Sequence, residues 1–226
     1  LSEAEYPQLV GLSKKERLVE AAAILIDREG TVDVPLEAIV KLAGCNQALV
    51  KYHFGNKEGL QIALLERDAL RGVTRTRQLL ASDLSPSEKV RRHIHATVRG
   101  YEICPYWNRL MHHLMTAGSE EAKARVAAFL VRPMMECHAE LLRQGVEAGE
   151  FAPMNPLFFH LAIQGTCDQL FAARSSLALS LGRARVDTAT REAFAAQIAD
   201  LLLRGVCHQP PPRLAPSKAP RAKRSR

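Results

Sequence analysis

The sequence predicts an all-α protein in two parts, a small N-terminal helical unit and a larger helical domain. Three observations predict it. Apolar residues recur at spacings of three and four in nearly every long segment, the signature of one buried helix face. No stretch alternates with period two for long. Ser, Asn and Gly stand where such helices should begin and end.

From Ser13 to Glu29, Leu18, Ala22, Leu25 and Ile26 share one face; Ser13 with Glu16 forms a capping-box pattern, and Gly30 stops the run. A short helix follows over Leu36–Ala43, with Pro35 suited to its first turn and Gly44 ending it. Asn46 caps another short helix over Gln47–Phe54. After Gly55 and Asn56, a longer helix runs from Lys57 toward Arg75, carrying Leu60, Leu64, Ala69 and Leu70. A polar gap at Ala81–Ser87 separates this unit, residues 13–75, from a second one at 85–205. Its helices are expected near 87–104, 106–118, 120–148, 155–180 and 188–205. Pro133 should kink the third of these or restart it. Residues 206–226, with three consecutive prolines, six basic residues and no acid, read as a disordered tail.

With 226 residues, 47% hydrophobic and 24% charged, the chain can bury a real core. The 13 glycines and 12 prolines exclude collagen-like and low-complexity classes. No apolar run approaches the roughly 20 residues of a membrane helix, and Glu3 and Glu5 occupy the place of a basic leader region. Five scattered cysteines without a C-x-x-C fit a reducing compartment better than disulfides or zinc. A soluble cytoplasmic protein without membrane association is expected. The net charge of +7 points toward polyanions, but six of its positive charges lie in the tail. The other 205 residues carry 25 basic against 24 acidic side chains.

Charge is more telling locally. The helices over 35–54, joined at Gly44, form a helix-turn-helix candidate. Between Ala38 and Lys57 stand Lys41, Lys51, His53 and Lys57 and not one carboxylate. A surface that meets phosphates needs that absence, because a facing carboxylate repels them. On charge and turn alone, a neutral patch between two ordinary helices explains the pattern equally well.

The run Ala43–Gly44–Cys45–Asn46–Gln47–Ala48–Leu49–Val50–Lys51–Tyr52–His53–Phe54–Gly55–Asn56–Lys57–Glu58–Gly59–Leu60 resembles the signature of the tetracycline-repressor (TetR) family. There, A-G-V-S/N precedes a short helix ending Y-H-F, followed by G-x-K-E-x-L. The resemblance covers roughly residues 13–70, and Gly145–Phe151 is similar to a G-x-x-x-G-x-F junction of the family's larger domain. It implies a homodimeric transcriptional regulator, usually a repressor, that binds a palindromic double-stranded operator and is released by a small-molecule effector. Carried over by position, Asn46, Gln47 and Ala48 open the recognition helix. Gln47 suits adenine and Ala48 a thymine methyl. Tyr52 and His53 match phosphate-binding positions, with structural packing as the alternative for His53. Lys57, at a helix N-terminus, suits a phosphate oxygen. Phe54 matches a core position. Lys51 stands where the family usually has an aromatic residue, implying stronger phosphate or guanine contact. Cys45 replaces the usual Val, and Val32–Pro35 lacks the usual Thr/Ser.

The resemblance also implies dimerisation through the last two helices, about 155–180 and 188–205, for which Leu157, Leu161, Leu170, Phe171 and Leu177 and then Phe194, Ile198, Leu201 and Leu202 offer apolar surface. An intrachain core is the alternative for the same residues. Candidate effector-pocket residues are Trp107, Met111, Met115, Met134 and Phe159, with Tyr101, His113 and Gln164 as polar contacts; core packing is the alternative for each. Such a lining suits a hydrophobic or aromatic ligand.

No metal and no cofactor are expected. His112 and His113 point about 100° apart on a helix, and His93 and His95 about 200°. No H-E-x-x-H, E-x-x-H or paired cysteines occur. G-x-S-x-G, Walker A and G-x-G-x-x-G are likewise missing, so no catalytic residues are assigned. The competing readings are a sequence-independent nucleoid binder driven by the basic tail and, behind it, a helical enzyme.

Overall fold

The computed structural model describes residues 6–180, 182 and 187–207; the tail expected beyond 207 lies outside them. Ser13 caps α1 (Lys14–Glu29) with a full capping box: its hydroxyl accepts from the Glu16 amide at 3.3 Å while the Glu16 carboxylate accepts from the Ser13 amide at 2.9 Å. Then come α2 (Leu36–Ala43), α3 (Gln47–Phe54) and α4 (Lys57–Leu80). The turn between α2 and α3 depends on Gly44. Its φ of +61° is left-handed, and a Cβ there would lie 2.8 Å from the Arg17 guanidinium of α1. The apolar faces of α1 to α4 close on one core built on Leu18, Ile26, Ile39, Val50, Leu60 and Leu64.

The larger domain comprises α5 (Pro86–Ile103), α6 (Trp107–Thr116), α7 (Glu120–Val126), α8 (Arg132–Glu147), α9 (Pro156–Ala172), α10 (Arg174–Ser180) and α11 (Thr188–Val206). Residues of α6 and α7 join the first core, whereas α5, α8, α9 and α11 enclose a second around Ile94, Leu141, Phe159 and Ile163. Helix α4 packs against both α1 and α8, so it belongs to both units. No strand forms among the described residues; a single antiparallel bridge pairs Phe151 with Cys207. The G-x-x-x-G-x-F junction is explained by contact: a Cβ on Gly145 would fall 1.8 Å from the Phe151 ring, which is fully buried.

Three boundaries differ from expectation. Helix α4 continues past Arg75 to Leu80, where Lys89 caps it, its buried ammonium donating to the Leu80 carbonyl at 2.8 Å and to Gln144 at 2.9 Å. The helix expected over 120–148 widens into a π turn at Ala127–Val131. Pro133 lacks an N–H and its ring crowds the preceding turn, so the chain shifts register, and the Arg132 amide reaches back five residues to Ala127. The helix expected over 155–180 divides at Ala173, where the sequence carries no helix breaker.

Candidate nucleic-acid interface and ligand cavity

Helix α3 is held by its buried Val50 and leaves its other face open. Gln47, Ala48, Lys51 and Tyr52 are exposed there, Tyr52 at 82%. Asn46 is committed to the fold: its side-chain oxygen accepts from the Leu49 amide at 3.1 Å, leaving its NH2 group outward. His53 is half-buried, edge-on to Tyr52 at 4.9 Å and tilted against Phe54 at 5.9 Å. Phe54 packs against the first core.

Lys57 does not face open solvent alone. Its ammonium donates to Asp33 at 2.8 Å, and that bond holds the Asp33 carboxyl below its ordinary range. Asp33 lies outside the carboxylate-free stretch in sequence, and the fold returns it to the edge of the same surface. A phosphate at Lys57 would therefore meet an exposed carboxylate already bonded to the same ammonium.

The larger domain contains a cavity of about 200 Å³, walled by α4, α5, α6, α8 and α9. Of the eight candidate pocket residues, Tyr101, Trp107, Met134 and Gln164 line it. The other four lie elsewhere. Met111 and Met115 are turned toward the first core, because α6 packs on the N-terminal unit. His113 stands near the carboxylates of Asp33 and Glu58. Phe159 is fully buried in the second core, edge-on to His138 at 5.6 Å. Asp68, Arg71, Arg75 and Thr76 on α4 and His93 on α5 also line the cavity. Sequence reasoning missed them because helical periodicity points only to the apolar faces of α4 and α5, and these are polar residues.

Three polar clusters surround this cavity. Asp68, buried, accepts from Tyr106 at 2.5 Å, from the Arg67 Nε at 2.9 Å and from Arg71 at 3.3 Å. Arg67 also donates to Glu20 of α1 at 2.7 Å, so one guanidinium joins the cavity wall to the N-terminal unit. Asp168 accepts from Tyr101 at 3.1 Å, and it contacts Asn108 and, at 2.8 Å, His112. Burial, with the Asp168 charge behind it, pushes the Tyr101 hydroxyl far above its ordinary range.

The third cluster is a chain of three buried imidazoles from three helices. His93 Nε2 lies 2.8 Å from His138 Nε2, and His138 Nδ1 lies 3.1 Å from His160 Nδ1. Thr76 sets its direction. Its hydroxyl donates to the Gly72 carbonyl at 3.0 Å and so can only accept from His93 Nδ1–H at 3.5 Å. His138 must then donate from Nε2, and His160 from Nδ1. Burial lowers all three pKa values, His93 to about 4 and His138 further. Both ring nitrogens of His138 are occupied by other imidazoles. Among the described residues no group of three or more His, Cys, Asp or Glu is arranged to hold a metal ion.

A helix-turn-helix with an exposed, carboxylate-free second helix, joined through one long helix to a cavity-bearing domain, defines a DNA-binding regulatory protein with a separate ligand domain. Residues 18–64 match the model of bacterial regulatory proteins of the tetR family, and residues 83–210 match the tetracyclin repressor-like C-terminal domain. The chain belongs to the TetR family. The HTH-type transcriptional regulator BetI of Rhizobium meliloti (strain 1021) is 32% identical over 94 residues, 41% of this chain and 45% of BetI. The match thus spans less than half of that relative's length. Two regulators named FadR, one of them described as a fatty acid degradation regulator, share the fold at a TM-score of 0.68. That of Bacillus halodurans is 19% identical and that of Bacillus subtilis, in complex with stearoyl-CoA, 16%, each match covering 84% of this chain and 98% of the other. PfmR of Thermus thermophilus is similar at a TM-score of 0.66 and 22% identity, over 85% of this chain and 97% of its own. Members of this family bind DNA and are not enzymes.

Proposed function

We propose that this chain is a ligand-responsive transcriptional repressor of the cytoplasm that grips a palindromic operator as a homodimer and leaves it when a small molecule enters the cavity. The observation that carries the reading is the open face of α3. Gln47, Ala48, Lys51 and Tyr52 project from a helix short enough to enter the major groove, with no carboxylate on it. Gln47 and Ala48 read bases. Lys51, Tyr52, His53 and Lys57 hold phosphates, and Asn46 contributes its outward NH2 to the backbone.

The dimer forms through α9 and α11. Leu157, Phe158 and Leu161 on α9 are 42%, 61% and 56% exposed and Leu201 on α11 is 65% exposed, apolar surface that water disfavours and a second copy would cover. Leu170 instead belongs to the second core, and Phe171, Leu177, Phe194, Ile198 and Leu202 pack against it. To read a palindrome, a two-fold axis there has to set the two α3 helices about 34–36 Å apart, one turn of DNA. The cavity between α4 and α5 receives the effector, and a fold relative described in complex with stearoyl-CoA supports a small-molecule effector here. Within the described residues, no helix is long and apolar enough to cross a membrane, which fits a cytoplasmic regulator.

The test is enrichment of random DNA fragments on the purified protein. Recovery of a two-fold symmetric motif supports a sequence-reading dimer. Equal retention of all fragments at fixed salt supports a sequence-independent binder instead.

A further inference from the structure

We infer that the cavity takes a small acid with an apolar body, its carboxylate held at the mouth by Arg71 and Arg75 and its body against Trp107. The inference rests on the proposed effector role of the cavity and specifies the chemistry of the ligand. Three ionised side chains line the cavity: Asp68, Arg71 and Arg75. The carboxylate of Asp68 is buried and already satisfied by Arg67 and Tyr106, so it has little to offer an incoming cation. Arg71 adds only a 3.3 Å contact to it and keeps 62% of its side chain exposed. Arg75, one helical turn further along α4, is exposed and makes no hydrogen bond or ion pair within the described residues. Two guanidiniums one turn apart on α4 thus line the cavity, Arg75 without an ion pair and Arg71 held only by its 3.3 Å contact to Asp68. Paired guanidiniums suit a carboxylate by charge and by fork geometry.

Behind them the wall is apolar: Leu79, Ile103, Trp107, Leu130 and Met134. At about 200 Å³ the cavity lies below the roughly 300–1,000 Å³ typical of pockets for drug-sized ligands, which favours a short acyl chain or a single ring over an extended tail. The Gln164 side chain also lines the cavity and is not committed to another group within the described residues, whereas Thr76 and His93 are engaged with Gly72, with each other and with His138. An acid that draws Arg71 away from Asp68 leaves that carboxylate with Arg67 and Tyr106, so the head group can be bound without uncovering a buried charge.

Trp107 is the chain's single tryptophan and stands in the cavity wall, so its fluorescence reports occupancy. Octanoate, octanamide and octylammonium are titrated into the full chain, as are 3-phenylpropanoate and its amide. Octanoate is expected to bind at least about tenfold more tightly than octanamide, the ratio one charge-assisted contact supplies, with octylammonium weakest. In Arg71→Gln/Arg75→Gln, whose folding is checked by helical circular dichroism, octanoate should weaken to the level of octanamide while octanamide is unchanged. Equal binding of acid and amide, tighter binding of the amine, a full preference retained in the double variant, or no response of Trp107 to any probe would each overturn the inference. The ligand-free protein is assayed in parallel on its enriched DNA. Loss of sequence-specific DNA binding there overturns the proposed function, whereas intact DNA binding with no acid preference overturns only the ligand class.

Discussion

Asn46, Lys57 and His138 are each tied into the fold by a side-chain hydrogen bond, and two of them are also proposed to meet DNA. Asn46 spends its oxygen on the first turn of α3, so Asn46→Ala should cost about 1 kcal/mol of stability besides any loss on DNA, read by thermal unfolding and by anisotropy titration. Lys57 is shared with Asp33. Lys57→Ala should lower the salt slope of DNA binding by about one. Asp33→Asn should strengthen binding by up to about fivefold, since an exposed pair is worth about 0–1 kcal/mol; unchanged affinity in both variants would remove Lys57 from the interface. The histidine chain carries a pH consequence. His93 and His138 are neutral when folded, because burial lowers their pKa values, and they titrate near 6.5 when unfolded. Below pH 6.5 the unfolded chain binds more protons than the folded one, so stability is present above that pH and is lost as pH falls toward about 4. Between pH 7.5 and 5 each of the two should forfeit about 2 kcal/mol. Urea midpoints at the two pH values check this, and His138→Phe should flatten the dependence.

Helix α4 is the element on which the two halves meet. It begins at Lys57, at the proposed DNA interface, and carries Asp68, Arg71 and Arg75 into the cavity wall. Through Arg67 it also holds Glu20 of α1. A ligand shifts the DNA-binding equilibrium only by its differential affinity for two arrangements of this connection. Arg67→Met should therefore leave Trp107 quenching intact while reducing ligand-induced release of DNA; release undiminished in that variant would place the coupling elsewhere. The ends of α1, α2 and α3 were legible because Ser13, Gly30, Gly44, Asn46 and Gly55 state them locally through caps and left-handed turns. Pro133 announced a disturbance but not its form, since a kink, a restart and a π turn all answer a missing N–H. The open, carboxylate-free face of α3 that carries the proposed DNA contacts follows from charge and helical spacing within twenty residues. The cavity was half-readable: Tyr101, Trp107, Met134 and Gln164 follow from helical faces, whereas Arg71 and Arg75 look like ordinary solvent-facing charges until α5 is packed beside them. The imidazole chain joins residues 93, 138 and 160, and no local spacing brings them together.

The whole molecule distributes its charge unevenly. A global excess of +7 suggests a polyanion partner, yet six of those charges fall in 206–226 and the rest of the chain is nearly balanced. The proposed DNA-recognition surface is a local one cleared of carboxylates, with Asp33 at its edge bonded to Lys57. The exposed apolar faces of α9 and α11 belong to this scale as well. Phe158→Glu with Leu201→Glu should convert a dimer to a monomer by light scattering at micromolar concentration and weaken operator binding severely, since each half-site alone supplies only part of the contact. A monomeric parent protein would contradict that assembly. The most direct measurement for the central claim is sequencing of random DNA fragments retained by the full chain and by Gln47→Ala at one fixed salt concentration. A two-fold symmetric motif with half-sites one helical turn apart, relaxed at one position per half-site by Gln47→Ala, is the predicted result. Retention of fragments without any enriched sequence would contradict it.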